Sequence, residues 1–277
     1  MVFDPRFCLF VPGDRSERFA KAINSEATAA ILDLEDAVAP ERKAFAREQV
    51  STFLETAKDI TRIAVRINAV GTPWHEADLA ALRGRTIGAA VLPKADDPSA
   101  ITRIARLLGT LPIVALIESA RGMVTCEAIA AQVDVIALAF GPYDLAADLG
   151  GTAEWESMLP HRARMLVAAR AAGILAIDGP CTDIRRPATV YAEALAAAAL
   201  GYDGKFLIHP DQIAAVFPAF HPNVADIAHA RRVLEVAARG IPATLDGAMI
   251  DAPHVAAAER LLRRVIVAEN EHRRDVS

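Results

Sequence analysis

Ten polar residues stand at or just past the C-terminal ends of short apolar runs: Asp33, Glu35, Asp36, Arg66, Asn68, Lys94, Glu118, Asp144, Asp178 and His209. Glu118 follows "PIVALI", and Asp144 follows the next run in "ALAFGPYDLAADLG". Two acids on successive runs suit a hard divalent cation such as Mg²⁺, which keeps several waters and needs only one or two protein carboxylates. The histidines and cysteines form no ligand cluster, which disfavours a softer metal. An ordinary reading pairs Glu118 with Arg66 or Arg121 and makes Asp144 a helix cap; spacing does not choose between the two. The planar fork of Arg66 matches a carboxylate bidentately, either a substrate's or that of Glu118 or Asp36. Alternation sends Asp33 and Glu35 to the same side, where acids beside a metal orient its waters; one of them could instead only cap the next helix. A Schiff base at Lys94 needs a desolvated, lowered pKa, whereas nearby acids keep it charged, so a salt-bridged or phosphate-binding lysine is expected. His209 lacks an evident second catalytic partner and reads as a packed structural histidine.

Those residues need elements to gather them. Eight apolar runs recur: Phe7–Val11, Ala29–Leu34, Ile63–Ile67, Ala89–Leu92, Ile113–Ile117, Val135–Phe140, Ile174–Ile177 and Phe206–Ile208. Most read as strands buried on both faces. Helical patterns lie between them. "DPSAITRIARLLG" has an acidic or serine cap, one apolar face and a glycine stop. "EWESMLPHRARMLVAARAAG" is similar, with Pro160 expected to interrupt it. Strand–helix alternation means a parallel sheet, and eight units over this length predict a (β/α)₈ TIM barrel with every strand end around one mouth. A doubly wound open sheet competes, but no GxGxxG follows the first strand. Residues 1–217 are expected to form the barrel. Residues 218–277 are read as a C-terminal helical extension and lid-like segment of the same domain: a helix in "PNVADIAHARRVLEVAARG", a turn-rich link in "IPATLDGAMIDAPHV" and a final helix.

Composition narrows the partners. The 277 residues carry a formal net charge of −5 and are 53% hydrophobic. Such a chain is expected to fold, and it offers no bulk positive charge for nucleic acid. No apolar run is long enough to cross a bilayer, and the N-terminal stretch does not read as a signal peptide. The three dispersed cysteines fit a reducing compartment, so a cytoplasmic enzyme is expected.

Taken in order, "RFCLFVPGDRSERFAKA", "ILDLEDAVAPERKAFAR", "VRINAVGTPWHEADL", "VLPKADDP", "PIVALIESARGM", "FGPYDLAADLG" and "GYDGKFLIHPDQI" resemble the citrate lyase β-subunit-like family, within the wider malyl-CoA lyase and HpcH/HpaI aldolase superfamily. The resemblance implies a TIM barrel assembled as a homotrimer or hexamer. It implies Mg²⁺ held by Glu118 and Asp144, Arg66 on the oxo-acid portion of the substrate, and Glu35 and Asp36 working through water on the metal. Gly141 and Pro142 are expected beside the bound oxo acid, the backbone there helping to hold it. The tail motif "DGAMIDAPHVAAAERLL" is similar to the lid of acyl-CoA members, where an aspartate matching Asp251 reaches a neighbouring subunit's site for acid/base chemistry. Asp251 could also simply cap the last helix. Phe7 departs from the family pattern, which has a serine there, and the tail is short.

The activity so implied is reversible Claisen-type cleavage of a β-hydroxyacyl thioester (citramalyl-, malyl- or citryl-CoA) to a 2-oxo acid, such as oxaloacetate, and an acyl thioester. The alternatives are a citrate lyase β subunit acting on an acyl-carrier protein, a malate-synthase-like thioesterase, a pyruvate-type aldolase without a thioester, and a non-catalytic carrier-binding protein.

Overall fold

A computed structural model describes residues 3–57, 60–240 and 242–262. The chain divides into two compact units, Met1–Val216 and Phe217–Ser277. The first runs β1 (Cys8–Pro12), α1 (Phe19–Ile23), β2 (Ala29–Asp33), α2 (Lys43–Thr56), β3 (Ile63–Arg66), α3 (His75–Leu82), β4 (Ala89–Leu92), α4 (Pro98–Leu108), β5 (Ile113–Ile117), α5 (Ala120–Ala130), β6 (Val135–Phe140), α6 (Pro142–Leu149), α7 (Trp155–Ala172), β7 (Leu175–Asp178), α8 (Pro187–Leu200) and β8 (Gly204–Lys205), and leads into α9 (Ile213–Phe220).

The strands pair in chain order, β1 to β8, and each neighbouring pair is parallel. The last returns to the first: Lys205 N donates to Arg6 O at 2.8 Å, Leu207 N to Cys8 O at 2.9 Å, and Phe10 N to Leu207 O at 2.8 Å. A closed circuit of eight is the (β/α)₈ barrel and excludes the open sheet. Alternate strand residues fill the interior, among them Cys8, Ile31, Ala64, Val91, Leu116, Ala139, Ile177 and Phe206. Carrying that alternation to the strand ends puts Asp33, Arg66, Glu118 and Gly141 on the interior side, at the mouth.

The helices form where capping and pattern agree. Asp97 accepts from Ser99 N at 2.9 Å ahead of Pro98; Ile101, Ile104, Ala105 and Leu108 are buried, and Gly109 ends α4 at φ +72°.

Three expectations are corrected. The eighth strand is Gly204–Lys205, not Phe206–Ile208. An ideal Cβ on Gly204 would lie 2.0 Å from Arg6 O, so glycine permits the close backbone approach that closes the barrel. Helix α7 runs unbroken through Pro160. The proline costs one backbone bond near the helix start, and burial of Met158, Arg162 and Met165 keeps the helix whole. In the second unit the "turn-rich link" contains an antiparallel hairpin of β9 (Ala243–Leu245) and β10 (Ala248–Ile250). Asp246 and Gly247 both have positive φ, +51° and +82°, as a two-residue type I′ turn requires.

The second unit also holds α10 (Val224–Ala237), capped by Asn223, and a helix over 252–262. Ala230, Val233, Leu245, Ile250 and Ala258 form its core. Among the described residues, no helix is long and apolar enough to cross a membrane.

Candidate active site

The strand ends of the first unit surround a cavity of about 370 Å³. Asp33, Asp36, Arg66, Glu118, Gly141, Pro142 and Asp144 line it, against an apolar wall that includes Phe10, Leu116 and Phe206.

Arg66 ends β3 in the register position opposite Asp33 of β2. Its Nε and Nη2 donate to Asp33 at 2.7 and 2.6 Å, its Nη1 donates to Asp36 at 3.3 Å, and its guanidinium lies 4.9 Å from the Phe10 ring centroid. The bidentate fork expected for a substrate carboxylate is therefore taken by Asp33; the Nη1 edge faces Glu35 and Asp36. Burial works against the Asp33 charge, but Arg66 and the backbone N–H groups of Glu35 and Ala37 hold its carboxyl below the usual range.

Glu35 has the opposite balance. Burial, with Asp36 adding to it, raises its pKa despite Arg66 and Lys94. Its Oε1 accepts from Lys94 Nζ at 3.0 Å. Its Oε2 pairs with Arg66 Nη1 at 3.0 Å but outside hydrogen-bonding geometry, which leaves a buried oxygen without a donor.

Glu118 is 2% exposed. Its Oε1 accepts from the backbone N–H of Lys94 at 2.8 Å, and Lys94 itself holds a left-handed φ of +47°. Burial first, then Glu35 and Asp144, push the Glu118 carboxyl up to about 8. The partners expected in the ordinary reading, Arg66 and Arg121, do not hydrogen-bond it. Gly141 makes room for this carboxylate: a Cβ there would lie 2.6 Å from Glu118 Oε2. Asp144 sits in the first turn of α6, whose cap is Gly141 rather than Asp144. Lys94 Nζ lies 4.0 Å from Asp144 Oδ1. Burial lowers the Lys94 ammonium, but the Glu35 bond and the surrounding acids outweigh it and raise the group, the reverse of what a Schiff-base lysine needs.

The backbone role expected near Gly141 is corrected as well. Gly141 N donates to Ile117 O at 3.0 Å, and Pro142 has no N–H. The N–H groups that the start of α6 leaves without intrahelical acceptors belong to Tyr143 and Asp144.

The donor set fits a hard divalent ion. Glu118 and Asp144 both line the cavity, and burial, then Glu35 and Asp144, raise the Glu118 carboxyl, as suits oxygen donors that a cation would neutralise. Among the described residues, no group of three or more His, Cys, Asp or Glu forms a ligand cluster.

Some expected residues lie elsewhere. Asp178 has the parity of Ala176, opposite to the interior Ile177. It accepts from Arg162 Nε at 2.8 Å and Lys205 Nζ at 2.6 Å in a buried ion network. Asn68 binds Asp78 at the start of α3. His209 caps the turn Pro210–Gln212, its Nδ1 accepting from Asp211 N at 3.2 Å. Asp251 belongs to the second unit, where its Oδ1 lies 2.5 Å from His254 Nδ1. Phe10 and Lys43 went unnoticed in the sequence. Only the alternation of Cys8 and Phe10 into the barrel could have flagged the first; the second is taken up below.

The HpcH/HpaI aldolase/citrate lyase family matches residues 6–210. A citrate lyase subunit beta-like protein of Mycobacterium tuberculosis is 39% identical over 272 residues, 95% of this chain and 96% of that one. A (3S)-malyl-CoA thioesterase of Cereibacter sphaeroides is 34% identical over 268 residues, 94% of each chain. The crystal structure of M. tuberculosis CitE in complex with magnesium, acetoacetate and coenzyme A superposes with a TM-score of 0.85 at 38% identity, covering 94% of this chain and 97% of that one. An eight-stranded barrel with acids and one arginine converging at its mouth thus comes with sequence similarity along nearly its whole length, and the chain belongs to the HpcH/HpaI aldolase/citrate lyase family.

Proposed function

We propose that the barrel mouth cleaves a carbon–carbon bond in a β-hydroxyacyl thioester of the citramalyl-, malyl- or citryl-CoA kind, giving a 2-oxo acid and an acyl thioester. The observation that carries this reading is Glu118, a buried carboxylate raised to about 8 by burial, Glu35 and Asp144 beside an arginine-bearing cavity. Such a charge is costly without a cation. Glu118 and Asp144 would hold Mg²⁺, in keeping with the magnesium-bound relative. When bound, the ion supplies Lewis acidity for the substrate's oxygens.

The chain's own groups do the rest. Arg66, pinned by Asp33 and stacked over Phe10, presents its Nη1 edge to the oxo-acid carboxylate and orients it. Glu35, which lies behind the cavity lining and is raised toward neutrality, takes up the hydroxyl proton through water as the carbon–carbon bond breaks, with exposed Asp36, which lines the cavity, relaying it to solvent. Gly141 and Pro142 form the wall beside the oxo acid. The thioester α-carbon takes back a proton from water or from the Asp251–His254 pair of a neighbouring copy in a homotrimer or hexamer, since His254 holds the Asp251 carboxyl itself below its usual range. The second unit serves as part of the same catalytic domain.

A second reading is hydrolysis of the thioester, favoured by the similarity to the (3S)-malyl-CoA thioesterase. Pure protein incubated with each CoA thioester, with and without a chelator, separates the two by mass spectrometry. A 2-oxo acid with acyl-CoA marks the lyase, and free CoA marks the thioesterase. Chelation and Glu118→Gln are each expected to abolish turnover. Undiminished turnover in Glu118→Gln would overturn the site, and no turnover on CoA- or carrier-linked thioesters would overturn the activity.

A further inference from the structure

The loop carrying Glu35 and Asp36 follows β2 and is fixed from two sides. On one side, Asp33 accepts from the N–H groups of Glu35 (2.9 Å) and Ala37 (3.1 Å). On the other, Lys43 Nζ donates to the carbonyls of Leu34 (2.9 Å) and Glu35 (2.7 Å). Lys43 opens α2 and is 5% exposed, which is rare for a lysine. Its ammonium lies 5.3 Å from the ring centroid of Trp74, in the loop after β3. Two N–H bonds go to carbonyls, and the aromatic face stabilises the remaining charge. Burial lowers this ammonium below its ordinary range, against the pull of Asp33, Glu35, Asp36 and Asp78.

A buried ammonium is a costly way to satisfy two carbonyls. An ordinary loop would turn them to water. Holding them inward fixes the chain's path through Glu35, whose side chain must meet both Arg66 and Lys94. Lys43 touches no carboxylate of the mouth and does not line the cavity. Resting on the reading of Glu35 as the proton acceptor, we propose that Lys43, covered by Trp74, is a positioning residue that fixes the Glu35–Asp36 loop for the reaction.

Lys43→Met keeps the apolar stem and removes the ammonium. It is expected to lower kcat about a hundredfold, the scale of an ångström's misplacement, with KM changed less than about threefold because Arg66 and the apolar wall are untouched. Lys43→Arg, which restores a cationic donor, should recover part of the loss. Amide hydrogen exchange gives a readout independent of turnover. The amides of Glu35 and Ala37 should exchange faster in Lys43→Met, while that of Asn68, held by Asp78 at 2.9 Å, stays protected. Should Lys43→Met fail to fold, Trp74→Leu keeps the ammonium and removes its cover, with the same local pattern expected at smaller amplitude. Unchanged kcat with unchanged exchange at Glu35 and Ala37 would overturn the proposal. So would uniformly faster exchange in a folded Lys43→Met, which marks a general stabilising role. The exchange result stands even if the wild type cleaves no thioester, so the failure of this inference and of the proposed activity are told apart.

Discussion

Glu118 should make the metal-free protein less stable as pH rises, and Glu118→Gln should remove that dependence. The sign follows from the direction of the shift. Burial, Glu35 and Asp144 raise the carboxyl from its ordinary 4.5 to about 8, so the folded state holds a proton that the unfolded state releases. The stability linked to that proton is fully present below pH 4.5 and is lost progressively as pH climbs to about 8. The gap between those values sets a ceiling of about 5 kcal/mol. The cavity opens to water, and an effective loss of about 1–2 kcal/mol is the working figure. For a chain of this size that is about 2–4 °C in Tm. Gln keeps the shape and still accepts from Lys94 N without the titrating charge. The assay is thermal unfolding of both proteins in chelator from pH 5 to pH 9. The Tm advantage of Glu118→Gln should grow across that range. Added Mg²⁺ should raise the wild-type Tm by mass action and leave the variant where it was. A Tm difference that stays flat between pH 5 and pH 9 would refute the argument that Glu118 is held in an unfavourable charged environment.

Three further outcomes are expected. Arg66→Met leaves Asp33 buried without its partner and should destabilise the protein by about 3–5 kcal/mol in urea unfolding, the usual cost of halving a buried ion pair. Gly141→Ala puts a methyl 2.4 Å from Glu118 Cβ and 2.6 Å from its Oε2; it should weaken Mn²⁺ binding, measured by titration calorimetry, by at least about tenfold with little change in helix content. Lys205→Met leaves Asp178 with Arg162 alone and should cost about 1.5–3 kcal/mol, the scale of one buried hydrogen bond to a charged group, with kcat unchanged, because that network lies outside the mouth.

Much of this was legible because parallel strands have few ways to be built. Ile31 and Asp33, Ala64 and Arg66, and Leu116 and Glu118 each keep the two-residue alternation from barrel core to mouth, and that parity can be read from the chain. The same rule places Asp178 outside, although its position at a strand end alone suggests the mouth. The eighth strand is not legible in the pattern because Phe206–Ile208 is the apolar stretch, whereas the pairing residues are Gly204 and Lys205. Their pairing depends on a backbone approach to Arg6 that only a long-range contact reveals. Asp246-Gly247 is a different case: the hairpin signal stood in the sequence, and the surrounding proline, threonine and alanine masked it. Lys43 was not legible at all. A lysine early in a helix normally faces solvent, and its inward turn depends on carbonyls that fold back from another loop.

The two halves of the mouth also differ in a way composition does not show. Asp33 and Arg66 satisfy one another, and the acid is held below its usual range. Glu118, a few strands on, has no side-chain cation within hydrogen-bond reach among the described residues and is held above its range. Lys94, the neighbouring cation, turns its ammonium to Glu35 and offers Glu118 only a backbone N–H, from a left-handed conformation that is unfavourable for lysine. Glycine at that position would relieve the backbone by about 1 kcal/mol, but it would leave Glu35 without its second cation. A fold optimised for stability alone would pair Glu118 or replace it. Keeping it buried, raised and beside Asp144 is an arrangement that a cation from outside the chain would stabilise, and the same rim carries the pinned arginine and the acid loop.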